Sequence, residues 1–156
     1  MIRTELRFQT LDEIKSDIET LQRTGYSAHG KWDLSQICEH LADWMTYPLD
    51  GFPPMPWFVR AMIGVMRTLR GKALYRQFVA SQRMANNAPT APQSVHSPNA
   101  DASPSVQRLV QAIERLKSHR GDIHPSPLFG ALSKDELVAL QMAHCAHHLR
   151  FLAPNN

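Results

Sequence analysis

The sequence has few cysteines, no long apolar run and no basic run. Its two cysteines, Cys38 and Cys145, lie outside any C-x-x-C pair, and 156 residues can build a core without disulfides. We therefore expect reduced thiols in a cytoplasmic protein. The most apolar stretch, residues 57–69, contains Arg60 and Arg67 and is too short to span a bilayer. The first eleven residues include three charged side chains and lack the apolar segment of a signal peptide. Neither a signal peptide nor a membrane partner is therefore expected.

Lysines and arginines are scattered along the chain, and the formal net charge is only +3. Proteins that bind nucleic acids usually carry a basic run or face, so no nucleic-acid partner is expected. The composition is 43% hydrophobic and 20% charged, which is ordinary for a globular protein. The length suits one domain, and we expect residues 1–156 to form a single helical bundle.

Apolar residues at helical spacing predict two helices in the first third of the chain. The first begins with a capping box at residues 10–13 and ends at Gly25. The second begins at Asp33, where Trp32 fits a hydrophobic staple. It ends near Pro48 or one turn later, before Gly51.

A third helix is predicted from Trp57 to Arg70, where Gly71 is expected to break it. Residues 72–84 have a weaker helical pattern and are predicted as a separate short helix. The apolar side chains of the third helix are expected to face the core; they are Phe58, Met62, Val65, Met66 and Leu69.

Residues 86–103 are polar and rich in proline, and they predict a long crossover or a flap over a site. A fourth helix is predicted with Ser103 as its N-cap and Gly121 as its end. A capping box at residues 133–136 starts a final helix that runs to about Leu152. No strand is predicted. The expected fold is therefore all-α, a four-helix bundle with one long crossover.

Two histidines of the final helix share one face. His144 and His148 are four residues apart, on the same stripe as Leu137, Leu140 and Phe151, and side chains at this spacing are neighbours. His40 faces inward from the second helix. Three imidazoles from two helices would form a first-row metal site with open positions. The alternative is that each ring packs at the bundle edge and hydrogen-bonds a neighbour.

Several neighbours of these histidines have two interpretations. His147 can be a catalytic proton acceptor near the metal, or it can be exposed. Glu39 and Asp43 can support a ligand imidazole, but solvated surface charge is the more common role of such residues. Cys38 and Cys145 fit small core residues better than ligands.

Two blocks of the sequence resemble a domain-of-unknown-function family within the DinB/YfiT-like superfamily of metalloenzymes. The first block comprises residues 31–36 (KWDLSQ), 40–42 (HLA) and 49–53 (LDGFP). The second comprises residues 127–133 (PLFGALS) and 144–149 (HCAHHL). The resemblance covers most of the chain apart from residues 86–103.

The resemblance implies a DinB-like bundle in which His40, His144 and His148 bind a divalent metal, with zinc or nickel as candidates. Because members of the superfamily include transferases and isomerases that use low-molecular-weight thiols, the resemblance also implies a candidate activity of this kind and a thiol as partner. One position departs from the pattern: Ser126 stands where relatives often have a histidine before the Pro-x-Phe-Gly link, and His124 lies two residues away.

Two functions remain open at this point. The first is a metal-dependent transferase or hydrolase that activates a thiol or water against a small electrophilic substrate. The second is a non-catalytic bundle with a vestigial metal site, used for binding or for homodimerisation through the third helix.

Overall fold

The computed structural model describes residues 1–84 and 91–155, which form mainly α-helices. Within this part of the chain there are five helices: α1 (Leu11–Thr24), α2 (Leu34–Asp50), α3 (Trp57–Ser81), α4 (Ser103–Ser118) and α5 (Lys134–Leu149). A 3₁₀ turn lies at Pro92–Ser94, and two short strands, β1 (Tyr26–Ala28) and β2 (Leu152–Pro154), pair antiparallel. The helical class is thus confirmed. None of the described helices is long and apolar enough to cross a membrane.

The main core lies between α1, α2, α4 and α5, which bury their apolar stripes against one another. Ile18, Leu41, Ile113 and Leu149 are completely buried. Each such side chain contributes about 1.5–3 kcal/mol of burial free energy. This core fixes α2 against α5, the two helices that carry the three candidate ligands.

The predicted helix starts at Thr10, Asp33 and Ser133 are confirmed. Each of these three side chains accepts a hydrogen bond from the amide three residues later, and Asp33 and Ser133 form complete capping boxes. The helix α2 continues through Pro48 and ends at Gly51, whose φ of 106° favours glycine. The later of the two predicted ends is therefore correct.

The helix α3 differs from its prediction in length and in orientation. It continues through Gly71 to Ser81, so the separate short helix at residues 72–84 is wrong. Gly71 is buried, and a Cβ there would lie 3.0 Å from the Leu128 carbonyl oxygen. Glycine therefore permits a close approach to the loop before α5 rather than ending the helix. The side chains predicted to face the core are exposed.

The C-terminal end of the last predicted helix also differs. The helix α5 ends at Leu149, and β2 follows where helix was expected to continue. Tyr26 pairs with Pro154, and the buried side chain of Leu152 anchors β2 in the main core. The prediction of no strand is therefore wrong.

The connection before α4 lies along α2. Gln36 Nε2 donates to the His96 carbonyl at 2.7 Å, and the Asn99 amide donates to Ser35 Oγ at 3.1 Å. The helix α4 starts one residue earlier than predicted: Ala102 is the N-cap, Ser103 is the first helical residue, and the Ser103 amide donates to Asp101 Oδ1. Of the predicted crossover, residues 86–90 lie outside the described residues.

Candidate metal centre

The three predicted ligands converge. His144 Nε2 lies 3.2 Å from His40 Nε2 and 3.1 Å from His148 Nε2, and the three ligand atoms lie within 4.8 Å of one another. Two nitrogens bound at about 2.0–2.1 Å to a tetrahedral ion lie about 3.3–3.4 Å apart. The observed spacing therefore matches that of two nitrogens on one metal ion. We call His40, His144 and His148 the histidine triad.

Hydrogen bonding alone does not satisfy the histidine triad. His40 Nδ1 lies 2.9 Å from the Ser94 carbonyl oxygen, which can only accept. His40 Nδ1 therefore carries the proton, and its Nε2 offers a lone pair. His144 Nε2 has at most one proton, so it cannot form a good hydrogen bond to both neighbours. A cation between the three nitrogens would satisfy all of them.

The backbone of the 3₁₀ turn orients the His40 ring. Ser94 is completely buried, and its Oγ accepts from Trp44 Nε1 at 3.2 Å and donates to the Ala91 carbonyl at 3.0 Å. Its carbonyl oxygen thus occupies a fixed position beside His40. Such outer hydrogen bonds set both the tautomer and the direction of a ligand imidazole.

Aromatic rings form the walls around the triad. The Trp32 ring stacks on His148 with 5.4 Å between centroids and 8° between planes. The Trp44 ring meets His144 edge to face at 5.9 Å. Because His144 and His148 are only partly buried, the triad keeps access to solvent between these walls. Metal-ligand sets that perform reactions have such an opening.

The triad is uncharged at neutral pH. Burial lowers the pKa of His40 to about 4, and it lowers the pKa of His144 and His148 well below the usual 6.5. Neighbouring imidazoles add to the effect for His144 and His148. Neutral imidazoles are the form that binds metals, so no proton has to leave before binding.

His147 is buried, which rules out the exposed alternative. Its ring contacts that of His148 at 4.9 Å, and its Nδ1 accepts from the Met84 amide at 3.1 Å. Neutral His147 therefore carries its proton on Nε2. Burial lowers the pKa of His147 to about 4.

Asp43 is not a surface charge but the centre of a network that holds the connection against α2. Its Oδ2 lies 2.7 Å from His96 Nε2, and its Oδ1 accepts from Arg108 at 2.6 Å. Arg108 also pairs with Glu39. Neither carboxylate is hydrogen-bonded to an imidazole of the triad. Asp43 acts on the site through the segment that includes Ser94 and through its negative charge, which opposes the lowering of the His40 pKa by burial.

We expect Asp43→Asn to destabilise the protein by about 1–3 kcal/mol, because charged hydrogen bonds to His96 and Arg108 are lost. It should also speed amide exchange in residues 91–99. Urea unfolding and hydrogen exchange measure the two effects. Asp122→Asn is the control, since Asp122 is exposed and its carboxylate has no partner within the described part of the chain. Equal unfolding midpoints for the two variants would contradict the proposed role of Asp43.

The remaining candidates lie away from the triad. Cys38 and Cys145 are free and completely buried, as predicted for core residues. The His124 amide donates to the Pro48 carbonyl, and its ring lies beside Gly51 at the far end of α2. Ser126 pairs with Gly130 in a tight turn. His124 therefore does not replace the histidine that is missing at Ser126.

Two parts of the site had no clear signal in the sequence. Ser94 acts through its backbone carbonyl, which every residue has, so its type gives no hint of the contact. Trp32 was expected only as a hydrophobic staple at the start of α2, but its ring also contacts those of His40 and His148.

The fold and site define a helical protein with a candidate histidine metal centre. The family model DUF1569, described as a protein of unknown function, matches residues 1–155. The chain therefore belongs to the DUF1569 family. No curated protein and no solved structure matches it.

Proposed function

We propose that His40, His144 and His148 hold a divalent metal ion and that the protein is a metal-dependent transferase or hydrolase of the DinB-like superfamily. The observation that carries this proposal is the approach of three neutral imidazole nitrogens that no hydrogen-bond arrangement satisfies. Zinc and nickel both accept such a set of ligands. When bound, the ion would supply Lewis-acid activation of a thiol or water.

The chain's own residues would position the reactants. Trp32 and Trp44 limit water around the open side of the triad and offer apolar surface to a small substrate. Gln141 lies one turn before His144, and its buried Oε1 has no hydrogen-bond partner within the described residues. It is therefore an acceptor available to a substrate N–H or O–H group.

His147 would hold a substrate or product atom through a hydrogen bond from Nε2. Its Nδ1 lone pair accepts from the Met84 amide, so neutral His147 keeps its proton on Nε2 and offers a donor there. This proposed role differs from the proton acceptor predicted from the sequence, because the Met84 amide occupies the basic nitrogen. A low-molecular-weight thiol is the proposed co-substrate, in keeping with a reducing compartment in which Cys38 and Cys145 remain thiols.

Elemental analysis tests the proposal. Tag-free protein purified without chelator should contain about one equivalent of zinc, nickel or a similar ion per chain. After stripping, added zinc should saturate at about one equivalent. Thiol consumption with a panel of small electrophiles should then depend on reloading. Stoichiometric metal without any such activity would favour the vestigial site, and no uptake at all would reject the metal centre.

A further inference from the structure

The first half of α3 is the largest exposed apolar surface in the described part of the chain. Phe58, Met62, Val65, Met66 and Leu69 are between 44% and 76% exposed, and Trp57 is 79% exposed. With 3.6 residues per turn, the first five lie within about 100° of the helix circumference, in a stripe about 18 Å long. We call these five residues the α3 stripe. Exposed apolar patches of this kind mark binding surfaces.

The second half of α3 fixes the helix to the body. Phe78 is buried with Leu140 and Ala143 of α5, and Tyr75 Oη donates to the Glu136 carbonyl at 3.0 Å. The first half lacks such contacts among the described residues, because Gly71 marks the last close approach to the loop at Leu128. The α3 stripe thus lies at the surface, on a helix whose second half packs against α5.

The charge around the stripe has one sign. Residues 51–100 contain six of the 17 lysines and arginines and none of the 14 acidic residues. Arg70 and Lys72 flank the α3 stripe on the helix circumference, and Arg76 follows its last residue, Leu69, about two turns later. Arg60, Arg67, Arg70, Lys72 and Arg76 are all exposed, and none pairs with a carboxylate within the described residues.

This charge distribution disfavours a second copy of the chain as the partner. Two copies that met through the α3 stripe would bring like charges together, with no carboxylate between residues 51 and 100 to pair with them. An anionic lipid surface is complementary to both the apolar stripe and the cations beside it. It offers apolar depth to the stripe and negative headgroups to the flanking cations.

We propose that α3 docks on the surface of an anionic membrane, with the α3 stripe inserted among the lipids and Arg70, Lys72 and Arg76 on the headgroups. The aromatic pair Trp57 and Phe58 at its start is of the kind that favours the membrane–water interface. The helix lies along the surface and does not span it, in agreement with its many cations. The proposal does not depend on the metal centre.

Vesicle sedimentation of the full-length, tag-free protein tests this proposal. We expect binding to vesicles that contain phosphatidylglycerol, at least about tenfold weaker binding to pure phosphatidylcholine, and weakening with added salt. Met62→Glu/Leu69→Glu and Arg70→Glu/Lys72→Glu should each lower affinity at least about tenfold. The matched control Arg23→Glu/Arg120→Glu changes the net charge equally at exposed sites outside α3.

Three results would overturn the proposal. The first is no binding to anionic vesicles. The second is equal loss of binding in the Arg23/Arg120 control, which would indicate net charge alone. The third is a stable dimer in light scattering that Met62→Glu/Leu69→Glu dissociates and that does not bind vesicles, which would assign the α3 stripe to a second copy.

Discussion

His144→Phe should lower the zinc affinity more than about a hundredfold. Loss of a group that only hydrogen-bonds a ligand lowers metal affinity about 10–100-fold, and this substitution removes a ligand itself. Phenylalanine keeps the ring that packs against Trp44 and removes the nitrogen that faces both other imidazoles. Without metal, the variant should be at least as stable as the metal-free parent. The substitution removes the His144 imidazole, whose hydrogen bonding is incomplete.

Competition with a chromophoric zinc chelator measures the affinity, and urea unfolding after metal removal measures the stability. His29→Ala is the matched control, because the His29 side chain is exposed and belongs to neither of the helices that carry the histidine triad. Unchanged zinc affinity in His144→Phe would refute the assignment of ligands. Equal losses in both variants would indicate non-specific binding by histidine.

The metal-free protein should lose stability steeply in mild acid. A histidine whose pKa is about 4 in the folded state and 6.5 in the unfolded state binds more protons when unfolded. The unfolding free energy therefore falls as pH drops below the unfolded value of 6.5, and it levels off only below the folded value. His40 alone should cost about 2 kcal/mol between about pH 7 and about pH 5.

Buried His147 and the partly buried His144 and His148 act in the same direction. The pKa of His147 is lowered to about 4, and that of His144 and His148 lies well below 6.5, so each adds to the loss in acid. Chemical unfolding curves at the two pH values measure it. His40→Asn should flatten the dependence, whereas His29→Gln should leave it unchanged. A stability that is level over this range would contradict the buried, neutral state of the histidines.

Local features of the sequence predicted much of the structure. The caps at Thr10, Asp33 and Ser133 depend on residues three apart, so they can be read without knowledge of the fold. The pairing of His144 with His148 also follows from one helical turn. The inward side of His40 followed from the apolar stripe of α2. These features made the histidine triad a candidate, and the resemblance to a known family selected it over packing at the bundle edge.

The wrong predictions concern contacts with other elements. Periodicity shows that Met62 and Leu69 share a face, but it does not show whether another helix covers that face. Gly71 is a helix breaker by propensity, yet the close approach of Leu128 determines its role. Strands of three residues such as β1 and β2 are too short to show an alternating pattern.

Alkylation of the two cysteines can report local separation of the helices that carry them. Both sulfurs are completely buried, and burial raises the pKa of each thiol, whereas alkylating reagents attack the exposed thiolate. Cys38 and Cys145 belong to the same two helices as His40 and His144. The rate of alkylation under native conditions therefore measures how often α2 and α5 separate. A ligand that binds the triad only while α2 and α5 are packed together stabilises that packed state. It will therefore slow alkylation without contacting either sulfur.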